Sequence, residues 1–254
     1  TASGCARTAR NCCSRSSKTA RSDATDGIGA GCGGCSACGG CWATDVVAGC
    51  PCATGRSTAA AAFAAPPPST SGAITGAGAS VTKTGTGVVT LSGANGFAGG
   101  LTVSAGTLAL GANDALADLL PVTVAGGTLD VATFTDTVAS VVLSSGAIVG
   151  TSTGVLTSAS DFDLRAGSVS AILGGAVNVI KSTSGQLTLS GANTFTGQLR
   201  VNAGTLGFTQ GANLGAGAVL LNGGTLAYAG AGTLVTPVAI TATQAVAIGT
   251  SGAT

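Results

Sequence analysis

A thirty-residue block occurs twice in this chain. The first copy, residues 81–110, reads VTKTGTGVVTLSGANGFAGGLTVSAGTLAL, and the second, residues 179–208, reads VIKSTSGQLTLSGANTFTGQLRVNAGTLGF. The two copies align without a gap at an offset of 98 residues, and 17 of the 30 positions are identical. Internal repetition at a fixed spacing is typical of architectures in which similar units stack on one another. The doubled block therefore predicts a stacked fold.

A shorter period underlies the long one. Eight glycines each precede a short alternating apolar run, at successive spacings of 18 to 21 residues. They are Gly87, Gly106, Gly127, Gly146, Gly167, Gly185, Gly204 and Gly224. The alternation in runs such as Leu187-Thr188-Leu189 is that of a strand with one buried face. We therefore predict an all-β fold, a β-solenoid of about eight coils with about 20 residues in each coil.

The composition agrees with this prediction because helix signals are scarce. The chain has no Glu and no Met, and Gly supplies 43 of its 254 residues. Residues 112–120 are the one stretch with helical spacing, and they predict a short surface turn that ends before Pro121.

The residues of the doubled block carry a family resemblance. The pattern T-L-S-G-A-N-x-F-x-G followed by A-G-T-L resembles the passenger-associated β-strand repeat of bacterial autotransporters, closely in 83–110, nearly as well in 181–208, and more loosely elsewhere in 73–254. The resemblance implies a right-handed parallel β-helix that acts as a stalk or adhesin-like module. The repeat positions that it marks are Gly93, Asn95, Phe97, Gly106, Gly191, Asn193, Phe195 and Gly204.

The same resemblance implies a route and partners. It places the protein on the cell surface or outer membrane of a Gram-negative bacterium, reached through the periplasm and an outer-membrane β-barrel translocator. It implies that the repeats aid their own secretion and folding, with the barrel-assembly machinery as a further partner. A host surface or glycan is a candidate ligand, which the sequence does not identify. The family's C-terminal barrel and a clear signal peptide are not recognised in these residues, and the chain is interpreted as a fragment; the sequence leaves open whether both flank it. Neither a cofactor nor nucleic acid is expected as a partner.

Residues 1–72 differ in composition from residues 73–254. All nine Cys precede residue 53, six of the ten basic residues lie here, and Leu, Ile and Val are almost missing. A mixture of Cys, Arg, Gly and Ala supplies too little apolar surface for a core. We therefore predict that residues 1–72 are a low-complexity segment, disordered or mistranslated, and that residues 73–254 form the solenoid.

A cysteine string gives a weak metal-site candidate in that first segment. Cys32, Cys35, Cys38 and Cys41 form C-x2-C-x2-C-x2-C, and four thiolates can hold zinc or an iron–sulfur cluster. However, zinc ribbons separate their Cys pairs by a longer loop, and the iron–sulfur motif has a longer last gap. Disulfides are the alternative in an exported protein, with one of nine thiols left over. We predict no metal site here.

Enzyme chemistry has few residues to use. The chain has no His, which excludes a Ser-His-Asp triad. The alternative to a structural role is a carbohydrate-binding or carbohydrate-active β-helix that uses Asp161 and Asp163, two carboxylates on one strand face near Arg165. The competing interpretation makes both carboxylates solvated outward positions, with Phe162 and Leu164 pointing inward. We predict a protein that is not an enzyme.

Other polar residues of the solenoid are predicted to have structural roles. Asp130 and Asp136 are interpreted as outward-facing residues that keep the surface soluble. Gly-Ala-Asn recurs about one coil apart, which places Asn95 near Asn113 and Asn193 near Asn213. One hypothesis is that these amides stack and exchange hydrogen bonds as a ladder. The other is four independent turns.

Overall fold

The computed structural model describes residues 58–62, 69–70, 72–76, 78–231, 233–236, 238–243 and 248–250. In these ranges the chain is all-β with almost no helix, and its strands stack into a parallel β-solenoid of about eight turns. The predicted all-β solenoid is therefore confirmed. Within the same ranges no helix has the length and apolar content needed to cross a membrane.

Each coil presents up to three short strands, and strands of successive coils stack into three faces. Face 1 runs through ten strands in parallel register. They are β1 (Thr58–Ala62), β4 (Ser80–Thr84), β7 (Gly100–Val103), the first half of β9 (Pro121–Asp130), the first half of β11 (Ser140–Val149), β13 (Phe162–Leu164), β16 (Val179–Lys181), β18 (Leu199–Val201), β20 (Val219–Leu221) and β22 (Ile240–Ala242).

Face 2 continues from face 1 in every coil. It shares β9 and β11 with face 1, because each of these two strands runs through both faces without a break. Its other members are β2 (Ser69–Thr70), β5 (Val88–Leu91), β8 (Thr107–Leu110), β14 (Gly167–Val169), β17 (Gln186–Leu189), β19 (Thr205–Phe208), β21 (Thr225–Tyr228) and β23 (Ile248–Thr250).

Face 3 closes the coil and has fewer regular strands. It contains one pair and one triplet of parallel strands. They are β3 (Thr75–Gly76) with β6 (Gly96–Phe97), and β10 (Thr135–Val138) with β12 (Val155–Ser158) and β15 (Ile172–Gly174). A short 3-10 helix, Gly211–Leu214, occupies this region in a later coil.

The register shows how uniform the coils are. Val179 pairs with Leu199, and Leu199 with Val219, so these coils contain 20 residues each. Other coils are shorter or longer, since Phe162 pairs with Val179 and Thr58 pairs with Ser80. The predicted average of about 20 residues holds.

The core is a column of inward side chains inside the coils. Alternate residues of each strand are buried, as with Leu187 and Leu189 in β17, both 0% exposed. Each buried Val or Leu contributes about 1.5–3 kcal/mol of transfer free energy. A coil of this size cannot offset its own chain entropy. Stability therefore depends on stacking, which is the usual condition of solenoids.

The structure can be compared with the sequence predictions in two further regions, residues 112–120 and the strands before residue 73. Residues 112–120 form turns and bends, not a helix, and Pro121 opens β9, as the sequence predicts. The strands β1 and β2 lie on the N-terminal side of residue 73, the start predicted for the solenoid. Both pair in parallel with strands of the next coil, β4 and β5.

Candidate functional site

The repeat residues gather at two corners of their coils. The first corner joins face 1 to face 2 and holds the A-G-T-L glycine; the second joins face 2 to face 3 and holds S-G-A-N. At the second corner, a β-carbon on Gly93 would lie 2.8 Å from the carbonyl group of Gly72, and one on Gly191 would lie 2.8 Å from the carbonyl carbon of Ala171. The corner backbone of one coil therefore rests directly on the coil before it.

Asn95 inserts its amide between the coils on either side. Its Oδ1 accepts a hydrogen bond from the backbone N–H of Ile74, one coil back, at 2.8 Å. Its Nδ2 donates to the carbonyl of Ala115, one coil forward, at 2.7 Å, and to the carbonyl of Gly93. The side chain is 4% exposed. It therefore extends the backbone hydrogen-bond ladder through a corner where no strand continues it.

Asn193 makes the same arrangement in the second copy. Its Oδ1 accepts from the N–H of Leu173 at 2.9 Å, and its Nδ2 donates to the carbonyl of Asn213 at 2.6 Å. Both contacts span 20 residues, one coil in each direction. Because these groups are buried, an amide that pairs them removes a penalty of about 1–3 kcal/mol per unsatisfied group.

The phenylalanines of the motif fill the core beside these amides. Phe97 and Phe195 are both 0% exposed. Gly215, in the following coil, makes room for Phe195, because a β-carbon there would overlap the ring. The motif S-G-A-N-x-F therefore places a close backbone approach, an amide bridge and a core ring within five positions.

At the first corner, the A-G-T-L glycines take a backbone conformation that suits glycine alone. Gly106 has φ +63° and Gly204 has φ +70°. A β-carbon on Gly106 would lie 2.6 Å from Nζ of Lys83, and one on Gly204 would lie 2.5 Å from the carbonyl oxygen of Thr183. Both a left-handed backbone and close approach therefore require Gly at this corner.

The lysines of the motif are buried, which the sequence analysis missed. Lys83 is 1% exposed and Lys181 is 0% exposed, and both point into the solenoid. The sequence held a signal, because Lys83 shares the inward parity of Val81, and Lys181 that of Val179.

Each ammonium group is held by the oxygens of a corner. Nζ of Lys83 donates to the carbonyls of Thr84 at 2.9 Å, Gly85 at 2.8 Å and Ala105 at 3.0 Å. Nζ of Lys181 donates to the carbonyl of Thr183 and lies 3.5 Å from its hydroxyl oxygen. Desolvation by burial lowers the pKa of both lysines below the usual value, and Asp163 partly offsets this at Lys181.

The asparagines of the Gly-Ala-Asn sequences do not form the hypothesised ladder of amide-to-amide hydrogen bonds. Asn95 bonds Ala115, not Asn113, whose Oδ1 instead accepts from the N–H of Thr135. Asn193 does reach Asn213 one coil on, but through the backbone carbonyl of Asn213 and not through its side-chain amide. The interior amides therefore bond to backbone groups and not to one another.

A side-chain ladder does occur, on the outer surface. Nδ2 of Asn222 donates to Oδ1 of Asn202 at 3.2 Å, and the hydroxyl of Thr243 donates to Oδ1 of Asn222 at 2.6 Å. Asn202 and Asn222 each stand two residues before the corner glycine of their coil, Gly204 and Gly224. This regular position was the sequence signal for the ladder.

The Asp161/Asp163 face has its carboxylates already bonded. Asp161 is exposed and accepts two hydrogen bonds from the amide of Asn178 and one from its N–H. Those bonds lower the pKa of Asp161. Asp163 accepts from the hydroxyl of Ser182 and forms an ion pair with Arg165 at 2.8 Å. A general acid needs a raised pKa and a free oxygen, whereas the pKa of Asp161 is lowered and both oxygens of Asp163 are already bonded.

The inward and outward sides of this strand follow the predicted alternation. Phe162 and Leu164 are both 0% exposed and lie in the core, whereas the two aspartates face outward. The proposed use of these aspartates on carbohydrate stays a hypothesis.

The prediction that Asp136 faces outward is wrong. Asp136 is 2% exposed and points into the coil, because it shares the parity of the buried Val138 in β10. Its Oδ2 accepts from the N–H of Leu116 at 2.9 Å, whereas Oδ1 has no hydrogen-bond partner. Burial raises the pKa of Asp136 to about 6, the Leu116 bond opposes this rise, and the nearby charge of Asp114 adds to it.

Two further predictions can be placed. Asp130 is half-buried, and its Oδ1 accepts from the N–H of Ala132, two residues on, within its own turn. Cys32, Cys35, Cys38 and Cys41 lie outside the described residues. Within the described residues, no group of three or more acidic or Cys side chains is arranged to hold a metal ion.

Comparison with known proteins identifies the doubled block. Residues 81–110 and 179–207 each match the passenger-associated-transport-repeat family. No curated protein and no solved structure matches the chain. The two matched segments are the coils whose corners are described above. With the β-solenoid around them, they make the chain consistent with a fragment of an autotransporter passenger. Repeats of this family are typically structural, and the family implies secretion to the cell surface by way of an outer-membrane translocator.

Proposed function

We propose that this chain, which carries two passenger-associated transport repeats, is a stalk or adhesin-like module that an autotransporter displays on the cell surface. In this proposal the repeat coils aid the chain's own secretion and folding. One observation carries the proposal. The two segments that match the family are the same coils whose corner asparagines form hydrogen bonds to the coil before and the coil after.

The physical link between repeat and transport is sequential stacking. In a solenoid each coil contacts mainly its neighbours, so folding can begin at one coil and propagate as more chain arrives. A repeat coil gives the next coil ready partners, since Asn95 and Asn193 each offer donors to a coil that follows them in sequence. A chain that emerges through a narrow translocator would be captured coil by coil.

Surface display in cells tests the proposal. The full chain would be placed between a signal peptide and an outer-membrane β-barrel translocator in a Gram-negative host, and protease added to intact cells would report the exposed, folded passenger. We expect the chain to reach the surface, and the double variant Asn95→Ala/Asn193→Ala to reach it several-fold less.

The matched control is Asn202→Ala/Asn222→Ala, which removes two amides from the outer ladder and none from the interior. We expect this control to be displayed as well as the unmodified chain. Retention of the unmodified chain in the periplasm, while the same translocator displays another passenger, would contradict the proposal. Equal loss in both double variants would contradict the role given to the interior amides.

A further inference from the structure

The inward column of face 1 contains two charged residues in an otherwise apolar series. Lys83 is in register with Val103, and Lys181 with Val201. The remaining buried positions of this column hold Val or Leu, as at Val124, Leu143, Leu164 and Leu221. The lysines occupy the same position in the two family-matched blocks, 98 residues apart.

The Lys83 ammonium bridges two successive coils. Two of its hydrogen bonds go to carbonyls of its own corner, Thr84 and Gly85, and the third goes to Ala105 in the next coil. An ammonium has three N–H donors, so this set uses all of them. The missing side chain of Gly106 leaves the space that Nζ occupies.

Lys181 reaches a neighbouring coil through a threonine. Its Nζ bonds the carbonyl of Thr183 and lies within reach of the Thr183 hydroxyl. That hydroxyl donates to the carbonyl of Arg165, one coil back, at 2.7 Å. Each lysine therefore connects the corner of its own coil to the corner of an adjacent one.

Stability alone does not explain these lysines. Replacing a buried, hydrogen-bonded charge with an apolar side chain is often neutral or stabilising for the folded protein. By contrast, a buried charge that loses its hydrogen-bond partners destabilises the fold strongly. The best-attested use of buried polar groups is to select one pairing among several similar ones. A chain of near-equivalent coils has that problem, because a strand can pair with the wrong neighbour.

The corners between face 1 and face 2 are of two kinds, continuous in β9 and β11 and open in the other coils. In β9 and β11 the chain passes from face 1 to face 2 as one continuous strand, so the carbonyls at that corner belong to the strand. The open corners that receive Lys83 lie at residues 85–87 and 104–106, between separate strands. A slip that paired β4 with β9 would separate the Lys83 ammonium from the carbonyl of Ala105 and place it at a corner that a continuous strand occupies. The corners on either side of Lys181, at 165–166 and 202–204, are open, so its alignment depends on the bond through Thr183 to Arg165.

We propose that Lys83 and Lys181 set the register of the solenoid, as buried clamps that accept only one alignment of the repeat coil with its neighbour. The inference concerns folding in solution and is independent of surface display.

The test compares refolding with equilibrium stability in the purified full chain. The variant Lys83→Met/Lys181→Met removes both ammonium groups and keeps similar side-chain length. The matched control, Lys83→Met/Arg200→Met, loses the same net charge but leaves the second clamp intact. We expect the double-clamp variant to recover about threefold less native protein than the unmodified chain after dilution from denaturant, with the control between the two.

Hydrogen exchange over residues 81–110 and 179–207 distinguishes native from misaligned protein, because slipped coils lose protection at the corners. The native fraction of the double-clamp variant is expected to keep a denaturation midpoint equal to or above that of the unmodified chain. An unchanged native yield would overturn the proposal, and so would a yield that falls only in proportion to lost equilibrium stability.

The variant Lys181→Gln covers the case in which the apolar variants give no native protein, since glutamine retains two donors without the charge. The proposal requires its native yield to fall while its unfolding rate constant stays within about twofold of the unmodified value. Faster unfolding at an unchanged yield would make the lysine an ordinary stabilising residue and would overturn the proposal.

Discussion

The repeat coils and the coils between them hold together in different ways. In the repeat coils, strands are two to five residues long, and interior Lys and Asn side chains bridge the corners. In the middle of the stack, β9 and β11 are ten residues each and pair along nearly their whole length. The only carboxylate buried in the described residues, Asp136, lies in this middle region with one oxygen unpaired.

The difference shows that a solenoid can gain cohesion from long strands or from satisfied corners. Long parallel strands pair many backbone groups but specify alignment weakly, because one Val or Leu replaces another at little cost. Corner side chains pair fewer groups, but each one fits a particular set of partners. Sequence identity between the two family-matched blocks is concentrated where those corner contacts lie.

The largest effect is expected from Gly106→Ala at a repeat corner. The backbone there has φ +63°, and the new methyl would lie 2.5 Å from the carbonyl oxygen of Gly87 and 2.6 Å from Nζ of Lys83. The left-handed backbone and the forced displacement together are expected to cost about 2–5 kcal/mol of unfolding free energy. Equilibrium denaturation in guanidinium chloride measures it.

The matched control for that change is Gly207→Ala, in the interior of β19. A β-carbon there would have Oγ1 of Thr188 as its nearest neighbour, at 3.4 Å, which is an ordinary van der Waals contact. We expect a change of less than about 1 kcal/mol. If both variants lost the same stability, the special demand of the repeat corner would be disproved.

A smaller loss is expected from Asn193→Ala, which removes an interior bridge. The buried N–H of Leu173 and the carbonyl of Asn213 would both lose their side-chain partner. Two unsatisfied buried groups predict a loss of about 2–4 kcal/mol. Asn222→Ala, on the outer ladder, should lose less than about 1 kcal/mol because water replaces its partner. Similar losses from the two variants would mean that interior and surface amides are equivalent.

The middle region is expected to respond to pH through Asp136. Its folded pKa of about 6 lies above the ordinary 3.8, so the folded state holds this proton more tightly than the unfolded chain does. The resulting stabilisation is complete below pH 3.8 and is lost as the pH rises through 6, which amounts to about 3 kcal/mol. Asp136→Asn keeps the acceptor for Leu116 and should remove this dependence.

The comparison of the two proteins between pH 4 and pH 7 checks the prediction. Their stabilities should be similar near pH 4, and the Asn variant should be the more stable at pH 7. Subtraction also removes the opposite contribution of Asp161, whose lowered pKa adds stability that is lost as the pH falls. Parallel curves for the two proteins would show that Asp136 is not the source of the dependence.

The stacked architecture could be predicted from the sequence because its signals are local. The 20-residue period and the alternation of Leu187 and Leu189 depend only on neighbouring residues, and the strands follow them. The interior charges could not be predicted in the same way. Lys83 and Asp136 have inward parity, but chemistry argues against burial unless oxygens or donors of another coil meet them, and those partners are 20 or more residues away.

The site was predicted in outline and missed in detail for a related reason. The glycines and Asn95 were selected as repeat positions, but an amide can bond either another amide or the backbone of the next coil. The choice depends on the phase between coils, since Asn95 meets Ala115 and not Asn113. Variable coil length sets that phase, and the spacing of one motif does not reveal it.

The smallest effect is expected on the outer face, at the ion pair between Asp163 and Arg165. The two side chains are 31% and 45% exposed, so solvent screens their attraction, and Arg165→Ala should cost less than about 1 kcal/mol. Added salt should reduce even this loss, because the Debye length shortens. Thermal denaturation at low and high ionic strength measures both. A loss of unfolding free energy as large as that of Asn193→Ala would mean that contacts on the outer surface hold the coils together. The contrast between hydrogen-bonded corners and long strands would then no longer explain the stability of this solenoid.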